Sequence, residues 1–155
     1  LTATLVAGFV YTRIKTREIS ERFPAIGTFT QADGIRMQAV HVSAGDDADL
    51  PPLVFIHGAS GNLRDQYEAF AGPLKGRAEM LFVDRPGHGW SARDGQAYDT
   101  PAGQARAIAA TMENYGIERA IMVGHSYGGA VVASFALAYP EKTRGPLFLS
   151  PATHP

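Results

Sequence analysis

The sequence predicts an α/β fold, a mostly parallel sheet with helices on both faces, and three observations predict it. Short, uninterrupted apolar runs at Leu53–Ile56, 79–84 and 120–124 have the composition of strands covered on both sides. Helix-type stretches alternate with them, over 64–74, from 100 to about 115, and from 126 to about 139. His57, Gly58, Ala59, Asp84 and Ser126 all fall at the carboxyl ends of the apolar runs, where parallel sheets of this kind bind ligands.

Taken in order, residues 1–11 are almost all apolar or small, and Arg13, Lys15 and Arg17 follow. Such a run is shorter than the ~20 residues of a helical membrane span. Segment 1–17 is therefore expected to be the remnant of a membrane anchor or a terminal helix packed on the domain or a partner. A signal-peptide remnant fits less well, because the charges follow the apolar run. As an anchor remnant the segment would touch a membrane, and its basic flank would set the domain on the cytoplasmic side. Otherwise a cytoplasmic location is expected.

Residues 18–155 form the domain proper, and 18–24 read as a polar connector. Two strand-like runs, 27–31 and Ile35–Val42, meet at Ala32-Asp33-Gly34, a hairpin signal. A loop with Gly45 and Pro51-Pro52 leads into Leu53–Ile56. Residues 85–99 are irregular. Thr100 followed by Pro101 marks a helix start, and Gly116 a helix end. Pro140 stops the helix after 126, and 145–150 is a last strand whose Pro146 places its start at an edge or outside the ladder.

Bulk properties exclude several functions. The 155 residues suffice for one core, with 45% hydrophobic and 19% charged residues. A net charge of −1 and the lack of a basic stripe argue against nucleic acid as a partner. Without cysteine there is no disulfide, thiolate metal site or thiol catalysis. No H-x-H or H-x-x-x-H spacing occurs, so no metal site is expected. Oligomeric state is left open.

The chemistry concentrates in Ile121-Met122-Val123-Gly124-His125-Ser126-Tyr127-Gly128-Gly129. An apolar strand runs into G-x-S-x-G and then into a helix of small and apolar residues. A serine hydroxyl is a useful nucleophile only when it is held clear of the backbone, near a base and near donors for a developing oxyanion. A sharp strand-to-helix turn achieves this by straining the serine backbone. Side chains two positions away would collide across it, which favours Gly124 and Gly128. The Tyr127 N–H, at the helix start, would then point at the oxyanion.

These residues resemble the α/β-hydrolase superfamily, in its serine-nucleophile branch. Leu53-Val54-Phe55-Ile56-His57-Gly58-Ala59-Ser60-Gly61 looks like that family's third strand and oxyanion loop. Leu81-Phe82-Val83-Asp84-Arg85-Pro86-Gly87-His88-Gly89-Trp90-Ser91 looks like its fourth strand and D-x-P-G-x-G-x-S turn. The three motifs stand in the family's order. The resemblance implies Ser126 as nucleophile and Ala59, with Ser60 as fallback, as the second oxyanion donor beside Tyr127. It also implies that the fold is represented only by its N-terminal half, through about the sixth of usually eight strands. The reaction it implies needs no cofactor.

The other candidates are read structurally. His57 precedes the serine, whereas the family's triad runs Ser, then acid, then His; its expected work is to hold the loop by bonding backbone groups, next to Gly58. His88 belongs to a turn, His41 to a strand, and His125 is expected to line or pack beside Ser126. The Asp84 carboxylate is expected to tie down the turn after its strand. Trp90, Tyr127 and Phe135 are candidate pocket walls or core.

After Ser126 the only histidine is His154 and the only acid is Glu141, and neither sits where the family carries its base or acid. The chain is therefore expected to be a fragment of a longer hydrolase, inactive alone, or a naturally short relative. The expected activity is hydrolysis of an ester-like, small-molecule acyl substrate through an acyl-enzyme. Cofactor-free haloperoxidase and carbon–carbon bond hydrolase relatives share the serine elbow. A non-catalytic binding or interaction domain is the alternative from another class. A nucleotide-binding domain is disfavoured, since neither G-x-G-x-x-G nor a Walker lysine is present.

Overall fold

The computed structural model describes residues 2–152. It opens with α1 (Thr2–Arg22) and continues through β1 (Thr28–Ala32), β2 (Ile35–Val42), β3 (Leu53–Ile56), α2 (Leu63–Phe70), β4 (Met80–Val83), α3 (Pro101–Asn114), β5 (Ala120–His125), α4 (Tyr127–Ala138) and β6 (Thr143–Leu149). Single 3₁₀ turns precede α3, at Gln96–Tyr98, and follow α4, at Pro140–Lys142. His154 lies outside the described residues.

One six-stranded sheet has the order β1-β2-β4-β3-β5-β6. β4, β3, β5 and β6 run parallel, and β1 and β2 join antiparallel at one side. The hairpin between β1 and β2 turns on Asp33 at φ 51° and Gly34 at φ 83°, the left-handed pair that a two-residue hairpin needs.

Side chains alternate across the sheet with the strand period of two. Val54, Ile56, Leu81, Val83 and Met122 meet Ala105, Ile108 and Met112 of α3 and Val131, Val132 and Phe135 of α4. Leu53, Phe55, Met80, Phe82 and Val123 face the other way, under Leu63, Tyr67 and Phe70 of α2. Phe55 and Phe82 stack there with ring centroids 4.4 Å apart. Helices thus cover both faces, as the apolar runs predict.

Several boundaries differ from the sequence reading. The polar stretch 18–22 continues α1 instead of connecting, so the expected division after residue 17 falls inside a helix. Lys15–Glu18 and Arg17–Glu21 ion pairs, one turn apart, support that extension, and the helix ends only before Phe23-Pro24. α1 has no buried residue. Helix α2 stops at Phe70, four residues short of the expected end, because Gly72 and Pro73 break the ladder. β6 starts two residues early and takes in Pro146 opposite Met122; it is the edge strand, where a missing N–H is tolerated. Among the described residues β6 pairs only with β5, and Leu147 and Phe148 remain exposed. The irregular stretch 85–99 contains a 3₁₀ turn.

Candidate active site

Because β4, β3 and β5 are neighbours, their carboxyl ends bring Asp84 and Arg85, His57 to Ala59, and Ser126 together. Ser126 stands between the last residue of β5 and the first of α4, at φ 50° and ψ −121°. A non-glycine residue occupies this region only at a cost, when its surroundings over-determine it. The surroundings here are β6 and its exit: the Ser126 N–H donates to Leu149 O at 3.1 Å, and Ser126 O accepts from Ala152 N at 2.8 Å.

Both flanking glycines are required by close approach. A Cβ on Gly124 would lie 2.6 Å from Gly128 O, across the turn as the spacing suggests. A Cβ on Gly128 would run into Ile56 O and His57 O, so Gly128 answers to β3 instead of to Gly124.

The loop after β3 is held by a buried polar network. His57 Nε2 accepts the Arg85 backbone N–H at 3.0 Å, so the proton is on Nδ1, which donates to Gly58 O at 2.8 Å. Burial, reinforced by the Arg85 charge, pulls the His57 imidazole down to about 3, and the ring stays neutral at physiological pH. His57 is thus a loop brace with both nitrogens occupied. His88 is tied to the same region, its ring nitrogens 3.1 Å from Pro86 O and Ala59 O. His125 is exposed, with its ring beside Gly58. His41 pairs with Glu79 at 2.8 Å, on the sheet.

Asp84 accepts the Leu63 N–H at 2.8 Å through one carboxylate oxygen and the Trp90 N–H at 2.8 Å through the other. It anchors the start of α2 as well as its own turn. Burial raises its pKa, opposed by those two N–H donors. Phe135 is core, fully buried, and Trp90 is partly exposed.

Sequence reasoning passed over Arg85. Its side chain is 1% exposed, donating from Nε to His57 O at 2.9 Å, from Nη1 to Gln104 Oε1 at 2.7 Å and from Nη2 to Gly58 O at 2.8 Å. Its guanidinium carbon is 5.0 Å from the centre of the Tyr127 ring. Burial lowers its pKa to about 10, which leaves it charged at neutral pH. A second charged residue directly after Asp84, at the exit of an all-apolar strand, was the available signal. Gln104, on the buried face of α3, was its counterpart.

Among the described residues neither the Ala59 nor the Tyr127 N–H has a hydrogen-bond partner, and nothing bonds the Ser126 hydroxyl. A cavity of about 230 Å³ opens beside Ala59 and Tyr127 and reaches Arg85, His88, Tyr98 and Gln104. No three His, Asp or Glu side chains among the described residues group closely enough to hold a metal ion.

Known proteins share this architecture. The chain is 35% identical, over 79% of its length, to the dihydrolipoyllysine-residue acetyltransferase component of the acetoin cleaving system of Cupriavidus necator, covering 31% of that protein. It is 31% identical to an uncharacterized carboxylesterase of Bacillus subtilis, over 76% of this chain and 39% of the relative. Among solved structures, a bacterial membrane phospholipase A superposes on 98% of this chain and 50% of its own, with a TM-score of 0.72 and 26% identity. The chain therefore spans less than half the length of these two curated relatives. The family model described as alpha/beta hydrolase fold matches residues 51–155, and the chain belongs to the α/β-hydrolase family.

Proposed function

We propose that this chain is the nucleophile-bearing part of a serine hydrolase acting on an ester-like acyl substrate through an acyl-enzyme. The observation that carries the reading is Ser126, held at φ 50° between a strand and a helix with its hydroxyl unbonded among the described residues. Its Oγ adds to the substrate carbonyl carbon, and the carbonyl electron pair moves onto oxygen. The Tyr127 and Ala59 N–H groups receive that oxyanion. Collapse expels the alcohol and leaves the acyl group on Ser126, and water releases it as the acid. A histidine takes the serine proton and returns it to the leaving alkoxide, with an acid orienting the ring.

That histidine and acid come from outside the described residues in this reading. His57 is excluded as the base because both of its nitrogens are engaged with backbone groups. The carboxylesterase and phospholipase relatives support an ester-like substrate class. Treating the full-length protein with a fluorophosphonate, followed by peptide mass spectrometry, tests the reading: a covalent adduct on Ser126 is expected. An unlabelled protein would leave the alternative, a binding domain that retains the serine turn without its partners.

Helix α1 is proposed to meet a membrane. Leu5, Val6, Phe9, Val10 and Tyr11 are exposed on its N-terminal half, and Arg13, Lys15 and Arg17 follow, the order of an apolar segment with a basic cytoplasmic flank. No helix of the described residues is long and apolar enough to cross a membrane. Co-flotation with anionic vesicles that is lost on deleting residues 2–17 is the expected result. Flotation unaffected by the deletion would refute the contact.

A further inference from the structure

We propose that Arg85 is a positioning residue that holds both oxyanion donors in place. The proposal rests on the reading of Ser126 as the nucleophile.

A guanidinium buried to 1% exposure is costly unless it is paired, and among the described residues no carboxylate lies within ion-pair distance of Arg85. Its donors go instead to neutral groups: Gln104 Oε1, the His88 Nε2 ring nitrogen 3.2 Å from Nη2, and two oxygens of the loop that carries Ala59, His57 O and Gly58 O. Gly58 C=O and Ala59 N–H are the two halves of one planar trans peptide, pointing in opposite directions. Whatever fixes Gly58 O therefore aims the Ala59 N–H. The Arg85 side chain reaches that oxygen through Nη2 at 2.8 Å, beside the His57 Nδ1–H at 2.8 Å, whose tautomer the Arg85 backbone N–H sets, and the Gly61 N–H at 3.3 Å.

The same guanidinium lies 5.0 Å from the centre of the Tyr127 ring, the first residue of α4 and the second donor. One side chain thus holds the Ala59 peptide by a hydrogen bond and packs against the ring of the residue that carries the second donor. A cationic donor on Gly58 O also polarises the peptide and strengthens its N–H as a donor. Gln104 Oε1 holds Nη1 from α3, so the guanidinium plane is set from outside the loop. Arg85 acts through the loop and touches no reacting atom.

Arg85→Gln and Gln104→Leu in the full-length protein, assayed with a p-nitrophenyl ester and with a fluorophosphonate, test this. Arg85→Gln is expected to lower kcat about tenfold, less than outright loss of an oxyanion donor because the Ala59 N–H remains, with KM changed less than about twofold. Labelling of Ser126 should slow by a similar factor, because the phosphonyl oxygen occupies the same donors. In Arg85→Ala, added ethylguanidinium should recover part of kcat without raising the urea midpoint, which a purely structural defect would not allow. A folded Arg85→Gln protein with unchanged kcat and labelling rate overturns the proposal. Should Arg85→Gln not fold, Gln104→Leu decides: it keeps Arg85 but frees Nη1, and a fall in kcat of about threefold or more at constant KM is expected, whereas an unchanged kcat overturns the proposal. An unreactive wild-type Ser126 would refute the serine-hydrolase reading itself, and this proposal with it.

Discussion

Gly58 lies directly against Ser126: a Cβ on Gly58 would stand 3.1 Å from Ser126 Cβ and 3.1 Å from His125 Nδ1. The loop after β3 therefore crosses the serine turn at backbone contact distance, and the proposed donor Ala59 is the next residue along. Gly58→Ala must push the loop away by a few tenths of an ångström. Labelling of Ser126 by a fluorophosphonate is expected to slow about tenfold, a barrier increase near 1.4 kcal/mol. A labelling rate equal to wild type would show that the contact does not govern the site.

Gly128→Ala should be far worse for folding than for chemistry alone. Its Cβ would overlap two backbone carbonyl oxygens of the β3 exit, Ile56 O and His57 O, which cannot rotate aside as a side chain could. A loss of roughly 3 kcal/mol or more, the range of severe core disruptions, is expected in urea denaturation. Gly124→Ala meets Gly128 O at 2.6 Å and should follow the same course.

Asp84 is expected to be a stability residue and not a catalytic one. Asp84→Ala leaves the Leu63 and Trp90 N–H groups without their acceptor, at a cost of about 1–3 kcal/mol for each group left buried and unpaired. Asp84→Asn retains one acceptor oxygen and should lose less. Chemical denaturation of the two variants checks the order, and equal stabilities would refute the two-bond account.

Acid should weaken the fold through His57. Its folded pKa of about 3 lies below the ordinary 6.5, so the unfolded chain binds the extra proton first as pH falls. This contribution is complete above pH 6.5 and is lost as pH drops toward 3, at up to about 1.4 kcal/mol per pH unit. Asp84 has the opposite sign: its raised pKa lets the folded state take up a proton first, which offsets part of the loss at the acid end of that window. Denaturation midpoints measured from pH 7 to 4 should fall for wild type and flatten in His57→Gln.

Much of this arrangement was legible in the residues. Leu53–Ile56 is apolar at every position because both faces of β3 are covered, and the strand boundaries follow from that. Thr100 and Pro101 start α3 as their types suggest, with the Thr100 hydroxyl accepting the Gly103 N–H at 3.1 Å. Ser126 was legible from two glycines at fixed spacing. The extent of α1 was not, because the polar residues 18–22 suit a solvated helix as well as a linker. Ion pairs one turn apart support the helical state.

By itself, then, the sequence determined the alternation of strands and helices, the strand ends at which His57, Asp84 and Ser126 fall, and the turn that strains the serine. Local patterns suffice for these, since period, glycine spacing and caps act over a few residues. Only the tertiary structure decided that Gly128 answers to Ile56 O, that Asp84 caps the start of α2, and that Arg85 joins Gly58, Gln104 and Tyr127. Those relationships link residues 19 to 72 positions apart, and they exist only because the sheet sets β4, β3 and β5 side by side.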